Sequence, residues 1–162
     1  MLNLRQATIH QLSLLLEQRQ PAEIDGLLLP KSEEIAPRFL LEFAVSQLSQ
    51  DPENSFWWSP RLIVVDQSIV GMCSFKRPPD STDSIEIGYG IATSWQQRGF
   101  ATQAVDLLVR EGFLSSKIQK IIAYTSPSNT ASWQVLEKNR FVRDGSKIAP
   151  DDGKVWIWQR SR

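Results

Sequence analysis

Six consecutive residues, Gln96-Gln97-Arg98-Gly99-Phe100-Ala101, stand where a strand pattern gives way to a helix pattern. The first turn of a helix has amide N–H groups without intrahelical partners and carries the positive end of the macrodipole. It therefore attracts phosphate. Gly99 and Ala101 carry little or no side chain, so a pyrophosphate can come close to the backbone. Arg98 adds a cation, and Thr102 adds a hydroxyl on the first turn. No Gly-Lys-Ser/Thr follows, so this is not a Walker-type phosphate loop, and the glycine spacing is not that of a dinucleotide fingerprint. Alone, Gln-x-x-Gly-x-Ala is also what an ordinary strand-to-helix turn looks like.

Other reactive side chains are few. His10 is the only histidine and sits at a helix start, where a solvated surface role fits best. Cys73 is the only cysteine, which excludes an intrachain disulfide and a zinc site built on several thiolates. No metal site is expected. A lone cysteine inside an apolar strand reads as a buried, inert thiol rather than a nucleophile, and it suits a reducing cytoplasm.

The elements that must position the loop follow from periodicity. Leu2 and Leu4 alternate with polar residues as in a strand, and Thr8-Ile9-His10-Gln11 has the form of a capping box. Leu12, Leu15 and Leu16 then give a helix one apolar face. Pro21 to Pro30 reads as a loop with a turn at Asp25-Gly26, and a second helix starts near Pro37 and stops at Asp51-Pro52. Phe56-Trp57-Trp58 reads as core or as the rim of a site, with burial the stronger reading. Leu62–Val65 and Ile69–Phe75 predict a hairpin, and Ser84–Ile91 a third strand whose Gly88 and Gly90 suggest a bulge or a close approach by a ligand. Ala101, Ala104, Val105, Leu108, Val109 and Gly112 recur at helical steps. Lys120–Thr125 is a strand, Ser128 or Asn129 caps another helix, and Phe141-Val142 and Val155–Trp158 close the chain as strands. The pattern predicts an α/β fold with a mixed, mostly antiparallel sheet flanked by helices.

Bulk properties bound the function. A chain of 162 residues, 41% hydrophobic, predicts one domain over 1–162 with a real core. Its 18 basic and 18 acidic side chains give no net charge, which argues against a nucleic-acid or membrane-surface partner. The N-terminus has no signal-peptide core and no apolar run approaches a membrane span of ~20 residues, so a cytoplasmic protein is expected.

Two separated segments resemble the GNAT superfamily of acetyl-CoA-dependent N-acetyltransferases. Gln96, Gly99 and Ala101 match that family's Gln/Arg-x-x-Gly-x-Gly/Ala loop, and Ile85-Glu86-Ile87-Gly88-Tyr89 resembles its splayed strand. Asn129-Thr130-Ala131-Ser132 and Leu136-Glu137-Lys138-Asn139-Arg140-Phe141 resemble the Asn-x-x-Ser…Leu-Glu-Lys-x-Gly-Phe pattern of the subgroup that includes the RimJ/RimL ribosomal-protein acetyltransferases. The two motifs begin 33 positions apart (129 − 96), with the expected elements between them. Three positions depart from the pattern. Arg140 replaces the usual Gly, with Asn139 expected to adopt the left-handed conformation instead. Gln103 stands where many members have Glu. Leu136 occupies the place of the tyrosine that some members use as general acid.

The resemblance implies direct transfer of an acetyl group from acetyl-CoA to a primary amine of a small molecule or protein N-terminus. Alkyl amines have a reference pKa near ~10, so a base is needed at neutral pH. The backbone of Gln97–Ala101 would hold the pyrophosphate, with Gln96, Arg98 and Thr102 beside it. Ile91 would offer its N–H to the thioester oxygen, Asn129 would bond the pantetheine arm, and Ser132 would protonate the thiolate. Glu86 is the candidate base, with Asp83 a poorer alternative and a solvent-facing strand glutamate the bland one. A homodimer with Trp156 and Trp158 at its interface is the alternative to placing both in the core. The competing function is a non-catalytic acyl-CoA-binding or interaction module on the same fold.

Overall fold

The structure, a computed structural model, describes residues 1–17, 22–31 and 33–162. β1 (Leu2–Gln6) leads into α1 (Ile9–Glu17) through the expected capping box. Thr8 Oγ1 accepts from the Gln11 amide at 3.1 Å, and Gln11 Oε1 accepts from the Thr8 amide at 3.0 Å. Pro21 lies outside the described residues. Within the segment read as a loop, β2 (Glu23–Ile24) and β3 (Leu27–Leu28) form a small hairpin. Its turn is Asp25-Gly26, with φ of 49° and 76°, the double positive φ that two-residue hairpin turns use. α2 (Arg38–Gln50) follows, with Pro37 as its N-cap rather than its first helical residue, and then α3 (Ser55–Trp58).

The central hairpin is β4 (Arg61–Val65) and β5 (Ser68–Phe75), followed by β6 (Ser84–Ile91). α4 (Phe100–Leu114), β7 (Lys120–Thr125), α5 (Thr130–Lys138), β8 (Val142–Ala149) and β9 (Gly153–Ser161) complete the chain. The nine-stranded sheet runs β1-β4-β5-β6-β7-β9-β8, with the β2/β3 hairpin attached through β3 to β5. It is antiparallel except at β6–β7 and the single β3–β5 pairing.

Each face of the sheet has its own core. On one, Val105, Leu108 and Val109 of α4 pack with Ile85 and Ile87 of β6 and Leu136 of α5. Those three α4 side chains are fully buried, and such burial contributes about 1.5–3 kcal/mol each. On the other, Leu12 of α1 and Leu41, Ala44 and Leu48 of α2 cover Leu62, Val64, Ile69 and Met72. Trp158 is buried and donates to Thr125 Oγ1 at 2.9 Å, while Trp156 stacks on Trp133 with centroids 4.3 Å apart. Both tryptophans are used within the chain.

Three local readings change. Phe141 is buried just before β8 rather than inside it, and β8 runs on to Ala149. The left-handed residue after α5 is Arg140, with φ 62°, and not Asn139, with φ −92°. Asn139 is buried and its side chain donates to Thr102 O at 3.1 Å and Val135 O at 2.9 Å, which fixes its backbone elsewhere. The glycine on which close packing of β5 and β6 depends is Gly71. A Cβ there would lie 2.2 Å from Gly90 O and 2.9 Å from Ile91 Cα, both backbone atoms. Gly71→Ala should therefore push β6 away from β5 and cost about 1–3 kcal/mol, as overpacking does. Urea titration reads this directly; an unchanged midpoint would mean the strands separate without cost.

Candidate functional site

β6 and β7 are parallel neighbours for three residue pairs only: Ser84 with Lys120, Ile85 with Ile121, and Glu86 with Ile122. Beyond that point β6 continues against β5 as far as Ile91, and β7 continues against β9 as far as Thr125. A gap therefore opens between them. Its amide orientation follows from the ladder. The Lys76 amide donates to Glu86 O at 2.9 Å and the Ala92 amide to Val70 O at 2.9 Å, so the even-numbered residues of β6 bond toward β5. In an antiparallel pair the intervening residues point the other way. The N–H groups of Tyr89 and Ile91 thus face the gap.

A cleft of about 540 Å³ lies over this parting, lined by β5, β6 and β7, by Leu40 and Phe43 of α2 with Trp58, and by the β8–β9 arm. Glu86, Asn129 and Ser132 all line it. Glu86 stands on the face opposite its neighbours Ile85 and Ile87, which belong to the α4 core. Its carboxyl is pushed above the usual carboxylate range by burial, against the opposing pull of Lys76, Lys147 and Arg77. Lys147 holds its ammonium over the Tyr124 ring, 3.6 Å from the centroid. Asp83 is exposed in a turn at φ 53°, where its carbonyl accepts from the Gln119 and Lys120 amides, and it does not line the cleft. Cys73 is buried and burial pushes its thiol far up, so it stays neutral. His10 is exposed on α1.

The loop lies beyond the C-terminal end of β6, outside the lining of this cleft. A 3₁₀ turn over Thr93–Trp95 precedes it, and Glu33 accepts the Ser94 amide on both carboxylate oxygens at 3.2 and 3.1 Å. That hydrogen bond holds the Glu33 carboxyl below its usual range. Gln96 Nε2 donates to Ile91 O at 3.0 Å and so fastens the loop to the end of β6. Arg98 donates to Ser94 O at 3.1 Å and lies over the Trp95 ring at 5.0 Å. Gln97 and Gly99 are both left-handed, with φ 60° and 78°. Such reversals turn successive N–H groups inward and make anion-binding concavities. α4 begins there with Gly99 as N-cap, no side-chain cap and no acidic residue in its first turn. The first-turn amides of Phe100, Ala101 and Thr102 are left for a ligand or solvent.

On the far side of the gap, Asn129 caps α5, its Oδ1 accepting from the Ser132 amide at 3.1 Å. Leu136 is fully buried, so α5 presents no acid at that position. Two contributors escaped the sequence reading. The Tyr89 hydroxyl donates to Ser132 O at 3.1 Å, bridging the gap, and burial pushes that phenol up to about 12. Asn139 ties the end of α5 to the first turn of α4. Both stood inside recognisable motifs, but their partners lie 43 and 37 residues away and no local pattern names them.

A mixed sheet whose central parallel strands part beside an uncapped helix N-terminus defines the acyl-CoA N-acyltransferase fold. The Acetyltransferase (GNAT) domain profile matches residues 2–142, and the chain belongs to that family. An uncharacterized N-acetyltransferase p20 from Bacillus licheniformis is 32% identical over 48% of this chain and 43% of its own length. The ribosomal-protein-serine acetyltransferase of Escherichia coli (strain K12) is 27% identical over 52% of this chain and 47% of its own. The chain thus spans less than half the length of these curated relatives. The fold is similar to that of RimL, the ribosomal L7/L12 alpha-N-protein acetyltransferase in complex with coenzyme A. Its TM-score is 0.73, at 19% identity over 99% of this chain and 93% of that one. It is also similar to the aminoglycoside acetyltransferase AAC(6')-Ib with coenzyme A, TM-score 0.68, at 21% identity over 100% and 95%.

Proposed function

We propose that the protein is a cytoplasmic N-acetyltransferase that moves an acetyl group from acetyl-CoA to a primary amine of a small molecule or a protein N-terminus. The observation that carries this reading is the parting of β6 and β7 with amides turned into the gap beside a half-buried glutamate. The residues present fit such a donor. The uncapped, acid-free start of α4 and the left-handed Gln97 and Gly99 suit a pyrophosphate. The strand-like amides of Tyr89 and Ile91 suit an amide-containing arm.

In this reading Glu86 accepts the proton of the incoming ammonium, directly or through water. The freed amine nitrogen attacks the thioester carbonyl, the carbon–sulfur bond breaks, and the thiolate leaves. The Ile91 N–H donates to the oxyanion that forms on the way. Ser132, in the first turn of α5, passes to the thiolate the second proton that the nitrogen loses as the amide forms, so its hydroxyl is restored. A thiol has a pKa near ~8.5, so this last donation need not be strong. Asn129 keeps Ser132 in place through the cap and can also bond the arm. Gln96 holds the strand end that presents Ile91.

Two measurements test this. Calorimetric titration should give saturable one-site binding of acetyl-CoA and none of ATP. Release of CoA thiol with an amine panel then separates an enzyme from a binding module: binding without amine-dependent release would favour the latter. Glu86→Gln should lower turnover by about 10²–10⁴-fold, the usual worth of general base catalysis. The base works only when ionised, so the acidic limb of the pH–rate profile should lie above the ordinary carboxylate value. Lys76→Gln removes the strongest charge that favours the ionised form, and the limb should move to still higher pH. A limb that ignores both changes removes Glu86 from the mechanism.

A further inference from the structure

Lys76 crosses the cleft floor in a way that the sheet has been built to permit. It is the residue opposite Glu86 across β5 and β6, with its amide on Glu86 O, so the two side chains share one face. From there the side chain leans over Gly88. A Cβ placed on Gly88 would meet Lys76 Cε at 2.5 Å and Nζ at 2.7 Å. Any larger residue at 88 would take the space in which the ammonium lies. A second ammonium, Lys147, reaches the same cleft from the β8–β9 arm and rests over Tyr124. Among the described residues neither lysine is in an ion pair; Lys147 and Asp152, both on the cleft lining, are both solvent-exposed, and Lys76 is half-buried.

Two unpaired cations are an obstacle to an acceptor that arrives as an ammonium ion. Glu86 offsets one of them and must also take the amine's proton. Once Glu86 is neutralised by that proton, the half-buried Lys76 is left to repel a polyamine and to attract an acceptor that brings an anion with it. We propose that the acceptor carries a carboxylate within reach of its own amine, held by Lys76 and Lys147 while the amine faces Glu86. Lys76, and Gly88 beneath it, are then specificity-determining positions. This rests on the acetyltransferase reading above. It names the substrate class of that site: an amino acid with a separated carboxylate, or a peptide N-terminus followed by an acidic residue.

Matched pairs test it, because acid and neutral partner present the same amine to the same base, and their ratio isolates the anion. One arm compares β-alanine and 4-aminobutyrate with their amides; the other compares the dipeptide amides Ser-Asp and Ser-Asn. A charge-assisted hydrogen bond contributes enough for roughly a 10- to 100-fold preference in kcat/KM. The expected result is that preference for the acidic partner in one arm, which also says which source the anion comes from. Lys76→Gln and Gly88→Ala should each collapse the ratio, and Lys76→Arg should restore most of it. Neutral partners that match or beat the acids in both arms would overturn the proposal. So would an acid preference that survives Lys76→Gln and Lys147→Gln together. Failure of acetyl-CoA to bind in the calorimeter is a separate result, and it would bring down the acetyltransferase reading along with this one.

Discussion

Gly99→Glu should lower acetyl-CoA affinity by about two orders of magnitude or more and leave the protein folded. Gly99 is left-handed at φ 78°, which costs an ordinary residue about 1–2 kcal/mol. Space is not the obstacle, since a Cβ there would meet only Gln103 Nε2, at 4.0 Å. A carboxylate at a helix N-terminus also returns about 0.3–1 kcal/mol through the macrodipole. The fold therefore tolerates the change. A phosphate would not, because the new carboxylate competes for the same amides and repels it. Losing two charge-assisted hydrogen bonds at about 1.5–3 kcal/mol each is at least a hundredfold. Gly99→Ala keeps the backbone strain without the charge and should cost less than about tenfold in affinity. Calorimetry of both variants, beside circular dichroism to confirm folding, decides it. Equal affinity in wild type and Gly99→Glu would place the phosphates somewhere else.

The largest stability effect belongs to Arg61, at the start of β4. It is 1% exposed, yet charged. Its Nε donates to Glu111 Oε2 of α4 at 2.9 Å, and Nη1 donates to Phe56 O at 2.6 Å and Ser59 O at 2.5 Å. The guanidinium lies against both the Phe56 and Phe75 rings, 4.5 and 5.0 Å from their centroids. Nη2 is buried without a protein partner. Arg61→Met keeps much of the volume but leaves Glu111 and two carbonyls unanswered. Breaking a buried pair from one side costs about 3–5 kcal/mol. Glu111→Gln should cost less, about 1.5–3 kcal/mol: the amide oxygen can still accept from Nε, but the buried guanidinium loses its counter-charge. Urea midpoints of the two variants give the comparison. A loss below about 1 kcal/mol for Arg61→Met would mean that rings and backbone hold α3 against β4 without the charge.

Local physics made much of this fold readable. The Thr8–Gln11 box needs only side chains three residues apart, and the α4 stripe repeats at one spacing. The Asp25-Gly26 turn was visible because few residue types accept positive φ. Its two-residue strands were not, since two residues carry no period. The loop and the cap at Asn129 were legible for the same reason: each is a helix end with its own chemistry. What stayed hidden was set by distance along the chain. Arg61 looks like the polar first residue of a strand until Glu111, 50 residues later, is seen beside it. The sequence points to Asn139 for the turn that Arg140 makes, because nothing nearby reveals that its side-chain amide is spent on Thr102. Nothing in the local pattern marks Lys76, and only Gly88 across the ladder explains its course.

The three residue pairs that join β6 to β7 make a short seam between two panels, β1-β4-β5-β6 and β7-β9-β8. Besides the seam, the Tyr89–Ser132 and Asn139–Thr102 bonds help fasten one panel to the other. Amides that face an open gap trade hydrogen for deuterium readily, while those locked into β5 do so slowly. A molecule laid along the gap would face amides of both panels, and binding to the folded chain alone stabilises it in proportion to the logarithm of ligand supply. Resistance to unfolding should then rise with the supply of whatever ligand fills the gap, which a thermal-shift titration with acetyl-CoA reads.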